Sequence, residues 1–378
     1  MTGNVAKKEW FSYFDGIRGI AALLVMTAHC MTWAAWDGPI KSAALAVDVF
    51  MILSGFLMAY HYREREKTQL WESPKTWYIF YVRRFFRIAP LYYLLMIPSL
   101  FFYYHFNNFH RVMPAGNSGL NTEISPPPFD FLHLLTHITF TFGLIPQYAA
   151  SLAIPDWSLS LEMQFYAVFP FLMLLFRKFS YFWISLSLCI VSFIVNHFWL
   201  ANFPQPSFLL FKINFFIIGI LLAEAYYFKN RKTFTSICLI VLLIIISGYS
   251  RKAEIILFVV ALITTLMFYD EKDDTLRINK IFVAVKNILS NRISRFMSDT
   301  SYSVYLAHNL LLMPLAYWFS SFPWFVSQPG YMKFIILFAV LAPLTYCTAF
   351  VLFKYIEKPG IALGKFVLSG KVMKIFNH

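Results

Sequence analysis

Ten apolar runs, each long enough to cross a bilayer, dominate this 378-residue chain. They lie near 14–36, 42–62, 88–106, 158–176, 180–201, 208–228, 233–249, 253–269, 299–320 and 332–353. A hydrocarbon core is spanned by about 20 apolar residues in a helix, and lipid offers no partner to an unpaired backbone amide. Such runs therefore fold as helices. Charged residues make up 13% of the chain, about half the usual share in a soluble domain. The expected fold is all-α: a polytopic integral membrane protein of about ten transmembrane helices, forming one domain over residues 1–378.

The charge distribution orients that fold. Of the 32 Lys and Arg, 25 fall in the N-terminus, 63–87, 177–178, 229–232, 270–298 and the tail after 353. Placed on one side, these segments satisfy the positive-inside rule and put both termini in the cytoplasm. The net charge of +13 is then a topological signal and implies contact with membrane lipids, not nucleic acid. An eleventh apolar stretch, 131–147, contains His133 and His137 and ends near Pro146. Counting sides excludes it as a full span, so it is expected to be re-entrant or interfacial. The core is expected over 10–358. The Lys-rich tail, 359–378, is expected to lie on the inner membrane surface. Residues 107–130 form the largest external loop. No segment is large enough to stand as a separate soluble domain.

Cys30, Cys189, Cys238 and Cys347 all fall in apolar runs without metal-ligand spacing, and read as small buried hydrophobes. No metal site is expected. Lys7 and Lys8 precede the first apolar run, but Asp15 and Arg18 interrupt it; a retained first span fits better than a removed signal peptide.

Polar groups inside apolar spans are costly and mark function by default. Arg18 and His29 share the first span. Eleven residues at about 100° each return to within about 20° of the start, so both project from one face, with a rise of roughly 16 Å. A neutral imidazole at His29 would accept a proton from a hydroxyl. Asp15, three residues before Arg18, would supply a counter-charge. Arg83, Arg84 and Arg87 precede the third expected span, and Arg84 and Arg87 share a helical face, where they could fork around phosphate oxygens of a nucleotide or coenzyme A. Lipid headgroups would also suit such a run. Glu162, at the start of another span, could orient an imidazole, bind a sugar hydroxyl or pair with an arginine. Trp157 is either an interfacial anchor or a sugar-stacking ring, and Asp156 is a candidate N-cap. Asp48 requires a partner across the bundle. Tyr302, Tyr305 and His308 recur on one helix and could line the same cavity, although packing would also account for His308.

Together these segments resemble the membrane acyltransferase 3 family, which includes O-acetylases of O-antigen and other surface glycans. Phe14-Asp15-Gly16-Ile17-Arg18 with His29 is similar to its Arg/Lys-x10-His motif. Val47 through Phe56 resembles its second-helix signature, and Arg84-x-x-Arg87 its basic motif. Trp157-Ser158-Leu159-Ser160-Leu161-Glu162, Ser301 through His308 and Glu357-Lys358-Pro359 also fit. Met163 stands where the family often has a second acid. The family can carry an extra hydrolase-like domain, for which this chain is expected to have no room.

The resemblance implies ten helices and an acyl-CoA donor, most often acetyl-CoA, bound at the cytoplasmic face of a bacterial inner membrane. It implies an acceptor hydroxyl on a cell-envelope glycan such as lipopolysaccharide O-antigen. His29 is then the expected general base, with Arg18, Glu162 and Asp15 as its catalytic neighbours. Arg83, Arg84 and Arg87 would hold the donor, and Trp157, Asp48, Tyr305 and His308 the acceptor. A proton-coupled transporter or glycan flippase using the same buried polar residues is the alternative.

Overall fold

The computed structural model describes residues 12–40, 43–111, 130–228, 260 and 277–369. Every regular element among them is helical. In chain order they are α1 (Ser12–Trp33), α2 (Ala44–Glu66), α3 (Pro74–Arg111), α4 (Phe131–Ile138), α5 (Trp157–Lys178), α6 (Tyr181–Trp199), α7 (Leu209–Phe228), α8 (Arg277–Ser290), α9 (Arg292–Asp299), α10 (Ser301–Ser320), α11 (Pro323–Val326), α12 (Gly330–Leu352) and α13 (Lys358–Leu368). Six helical stretches among the described residues are long and apolar enough to cross a membrane: those of α1, α2, α5, α6 and α7, and the run from Gly330 to Leu368. The expected count of about ten is not reached on this measure. The expected spans at 233–249 and 253–269 lie outside the described residues, as do most of the loop 107–130 and the end of the tail. The other two, in α3 and α10, do form helices. Both are diluted by less apolar side chains: Pro90, Tyr92, Tyr93 and Pro98 in the 88–106 run of α3, and Tyr302, Tyr305, His308 and Asn309 in α10.

Helix α2 packs along α7 through a small-residue crossing. A methyl group at Gly55 would collide with the Phe216 carbonyl oxygen, and one at Gly219 with that of Ile52. Only glycine permits backbones this close, and close approach is what holds helices together where lipid supplies no hydrophobic drive. The same interface buries an ion pair, Lys212 Nζ to Asp48 Oδ1 at 2.7 Å, with the ammonium over the Phe215 ring. Asp48 thus finds its partner in Lys212.

Helix α3 begins at Pro74, well before the apolar run, and continues for 38 residues, about 57 Å at helical rise. Proline at a first helical position costs no hydrogen bond. The preceding turn is pinned by Thr76 Oγ1 donating to Leu70 O at 2.7 Å and Trp77 Nε1 to Trp71 O at 2.5 Å. The early start puts Arg83, Arg84 and Arg87 on a rigid helix instead of a loop.

Segment 131–148 is α4 followed by two single 3₁₀ turns, too short to span. Its apolar side chains Leu132, Leu135 and Ile138 are exposed, while His133 and His137 are buried. That inverted pattern suits a short helix with its polar face toward protein and its apolar face toward lipid.

One expectation is sharpened and one corrected. Residues 358–368, the described part of the expected tail, form α13. They continue from α12 through a π turn at 353–357 and pack on α3, with Gly360 against Pro90 and Gly364 against Phe86. The small side of that helix, not its lysines, decides its place. Cys347 is exposed, whereas Cys30 and Cys189 are buried; α12 turns Cys347 to the outside of the bundle. Cys238 lies outside the described residues.

Candidate active site

Helices α1, α2, α3, α5, α7, α10 and α13 enclose a cavity of about 570 Å³. One end is cationic, lined by Arg18, Arg65, Arg83, Arg84, Arg87 and Lys365. Arg84 lies over the rings of Tyr166 and Phe80, 5.2 and 5.8 Å from their centroids, which fixes a flexible side chain by cation–π contact. Five of these cations surround that end and Arg18 lies further in beside Glu162, an arrangement that suits an anion carrying several charges.

Moving inward, the lining changes from charge to hydroxyls. Glu162 accepts a hydrogen bond from Ser54 at 3.2 Å and a short one from Tyr166. Arg18 sits within electrostatic reach of Glu162, Tyr166, Asp15 and Arg87. At the far end Ser158 and Tyr305 share a hydrogen bond of 2.7 Å. Tyr302 donates to the Ile88 carbonyl at 2.9 Å and so ties α10 to α3. On α9, burial raises the Asp299 carboxyl above the usual range, and the neighbouring Asp15 adds to that rise.

The imidazole of His308 lies just past Tyr305, ring centroids 6.3 Å apart. His308 is fully buried, and its Nε2 meets His29 Nδ1 at 2.7 Å. His308 Nδ1 is 3.0 Å from the Val304 carbonyl one turn back. The half-buried His29 ring has no hydrogen-bond partner at Nε2 among the described residues.

The structure therefore brings together Arg18, Arg83, Arg84, Arg87, Glu162 and Tyr305 around one cavity, with His29 and His308 paired beyond Tyr305. It does not place Glu162 on His29: the glutamate is held by Ser54 and Tyr166, and the residue that touches His29 is His308. Nor does it place Asp48 or Trp157 on the cavity wall. Asp48 is consumed by Lys212, and the half-buried Trp157 packs against the apolar core. Asp156 makes no side-chain cap; it accepts from Tyr92 at 3.2 Å instead.

Sequence reasoning missed Ser54, His61, Arg65 and Lys365, which also line the cavity. A signal was present for the first three. With Met51 and Met58 they form a stripe at i, i+3, i+7, i+10 and i+14 of α2, one helical face. Lys365 carried no such mark, because its place depends on α13 folding back onto α3.

These features describe a multi-pass membrane protein with a buried polar site. It is an acyltransferase: the chain belongs to the acyltransferase 3 family, whose model, described as an acyltransferase domain, matches residues 11–354. Membership favours transfer chemistry over a transporter or flippase.

Among curated proteins, the chain is 34% identical to "Protein 2 in picA locus" of Rhizobium radiobacter, over 43% of this chain and 81% of that protein. It is 26% identical to the peptidoglycan O-acetyltransferase OatA of Listeria monocytogenes, over 45% of this chain and 25% of that protein. It is 30% identical to "Putative membrane-bound transacylase BcsY" of Komagataeibacter xylinus, over 41% of this chain and 35% of that protein. The matches thus span about a quarter to a third of the latter two relatives. No solved structure shows a significant match.

Proposed function

We propose that the protein is a membrane O-acyltransferase. In this reading it moves an acyl group, acetyl in the first instance, from coenzyme A to a hydroxyl of a cell-envelope glycan. The observation that carries it is the gradient along one cavity, from five cations at the mouth, through Arg18 and Glu162, to hydroxyls at the far end, beside the His29–His308 pair. Coenzyme A has a matching gradient, with phosphates at one end and a thin neutral arm ending in the thioester. Arg84 and Arg87, with Arg83, hold the phosphates as bidentate partners. The arm passes Arg18 and Glu162, and the thioester stops near Tyr305.

His29 acts as general base. It takes the proton from the acceptor hydroxyl as the oxygen attacks the thioester carbonyl. The C–O bond forms, the C–S bond breaks, and the departing thiolate takes the proton back from His29. The names of the Listeria and Komagataeibacter relatives favour O-linked transfer in a membrane setting. The positive-inside bias supports a bacterial inner-membrane protein with both termini and the cationic mouth in the cytoplasm. Lipopolysaccharide O-antigen is one acceptor of the right chemistry.

The deciding experiment follows thioester consumption by the protein in lipid nanodiscs, with acetyl-CoA and extracted envelope glycan, and weighs the glycan by mass spectrometry. The expected result is a glycan mass gain of one acetyl group that requires His29. Wild-type turnover by a folded His29→Ala protein would overturn the base assignment, and no thioester consumption with any envelope fraction would overturn the donor assignment.

A further inference from the structure

The contact between His29 and His308 is an in-plane hydrogen bond and not a face stack. The two rings are within 14° of parallel, and their centroids are 5.0 Å apart. That is the separation reached by two five-membered rings that point nitrogens at each other across 2.7 Å, the distance observed between His29 Nδ1 and His308 Nε2. One proton lies between those nitrogens. The question is which ring owns it.

The answer comes from the other side of His308. Its Nδ1 lies 3.0 Å from the Val304 carbonyl oxygen. A carbonyl oxygen only accepts, so His308 Nδ1 carries a hydrogen. A neutral imidazole carries one hydrogen, and a charge on this fully buried ring would be costly without a carboxylate beside it. His308 Nε2 is therefore a lone pair. It accepts, and His29 Nδ1 donates. The one remaining site on neutral His29 is Nε2, which must then hold a lone pair. That nitrogen has no partner among the described residues.

We propose that His308 is a positioning residue. By accepting from His29 Nδ1–H, it fixes the tautomer and ring plane of His29 and makes Nε2 the nitrogen that takes the acceptor proton. The arrangement gives a neutral imidazole the task a carboxylate performs in a serine–histidine–aspartate triad. When His29 becomes an imidazolium, its Nδ1–H bond to His308 becomes charge-assisted and shorter, and the Val304 carbonyl holds the far end of the chain. This rests on His29 as the base, but its first test does not use activity.

The full chain, labelled with ¹⁵N at histidine nitrogens and held in nanodiscs, is examined by NMR. The His29 signals are identified by their loss in His29→Gln. In the wild type, His29 is expected with a protonated Nδ1 and a lone pair at Nε2. His308→Leu fills the space but removes the acceptor, and is expected to release His29 into a mixture of tautomers. His308→Gln offers an amide oxygen in place of Nε2 and is expected to restore the Nδ1–H form. In turnover, His308→Leu should lower kcat by about 10²- to 10⁴-fold with KM for acetyl-CoA unchanged, and His308→Gln should recover at least about tenfold of that loss.

A wild-type His29 protonated at Nε2 would overturn the proposal. So would an unaltered tautomer in His308→Leu, or a kcat that ignores the change. If the tautomers behave as expected while folded His29→Ala keeps wild-type turnover, the base assignment of the preceding section fails and the hydrogen-bond assignment stands. Should His308→Leu not fold, the wild-type tautomer and the Gln variant still decide.

Discussion

Among the described residues two pairs of histidines touch each other inside the bundle, and only one of them ends on an open nitrogen. Around α4, His133 Nε2 and His137 Nε2 approach Ser151 Oγ at 2.7 and 3.0 Å, and Asp156 Oδ2 lies 3.5 Å from His137 Nδ1. A carboxylate, an imidazole and a hydroxyl in that order look like a hydrolytic triad. Its valences argue otherwise. Ser151 donates its one proton to the Tyr148 carbonyl at 3.0 Å, so both imidazoles donate to it, and Tyr92 OH occupies His137 Nδ1 at 2.7 Å. The hydroxyl has nothing left to give. None of the four histidines is itself among the cavity-lining residues, but His308 adjoins Tyr305, which is. The His29–His308 pair is the reverse: a chain of donors that begins at a carbonyl and ends on an unused nitrogen, next to Tyr305 and the cavity. Residue type does not separate the two clusters. An open end does.

The largest effect that tests this contrast is His29→Ala, expected to reduce kcat by about 10²- to 10⁴-fold, measured as thioester consumption. The same assay on Ser151→Ala should leave kcat within about threefold, while unfolding in detergent shows a loss of about 1–3 kcal/mol from imidazoles left unpaired. A large kcat effect at Ser151 would erase the distinction. Asp48→Asn, which strands Lys212 in the α2–α7 interface, should cost about 3–5 kcal/mol; a protein that unfolds at the wild-type temperature would refute the structural role assigned to that pair.

The donor end offers smaller steps. Arg84→Ala with Arg87→Ala should raise KM for acetyl-CoA by about 10²-fold through lost charge-assisted contacts, with kcat within a few-fold. Lys365→Ala should raise it by about three- to tenfold, as expected of a cation at an exposed rim. Initial-rate kinetics read both. A Lys365 effect equal to that of the arginine pair would place the phosphates closer to α13 than proposed.

Most of the helices were legible because lipid leaves the backbone one economical solution: an apolar run must satisfy its own hydrogen bonds. The limits of α5 and α7 lie within two residues of the apolar runs that announced them. Arg18 and His29 were legible for the related reason that polar groups in such runs are conspicuous. The start of α3 was hidden, because polar residues there carry no apolar period and Pro74 reads equally as a turn. The wall formed by α13 was hidden because its glycines have meaning only against Phe86 and Pro90. Glu162 was recognised as a candidate site residue with an imidazole, a sugar hydroxyl and an arginine left open as partners, since many groups satisfy a buried carboxylate and only packing chose Ser54, Tyr166 and the nearby Arg18.

By itself the sequence determined that this is a helical membrane chain with conspicuous polar residues placed along its spans. Those follow from hydropathy, charge and short-range spacing, all local properties. Only the tertiary structure decided which imidazole meets which. His29 and His308 are 279 residues apart, and the single proton between them is assigned by a carbonyl on α10 and the crossing of α10 with α1. Hydrogen bonding is directional at the scale of an ångström, and no one-dimensional pattern carries that information.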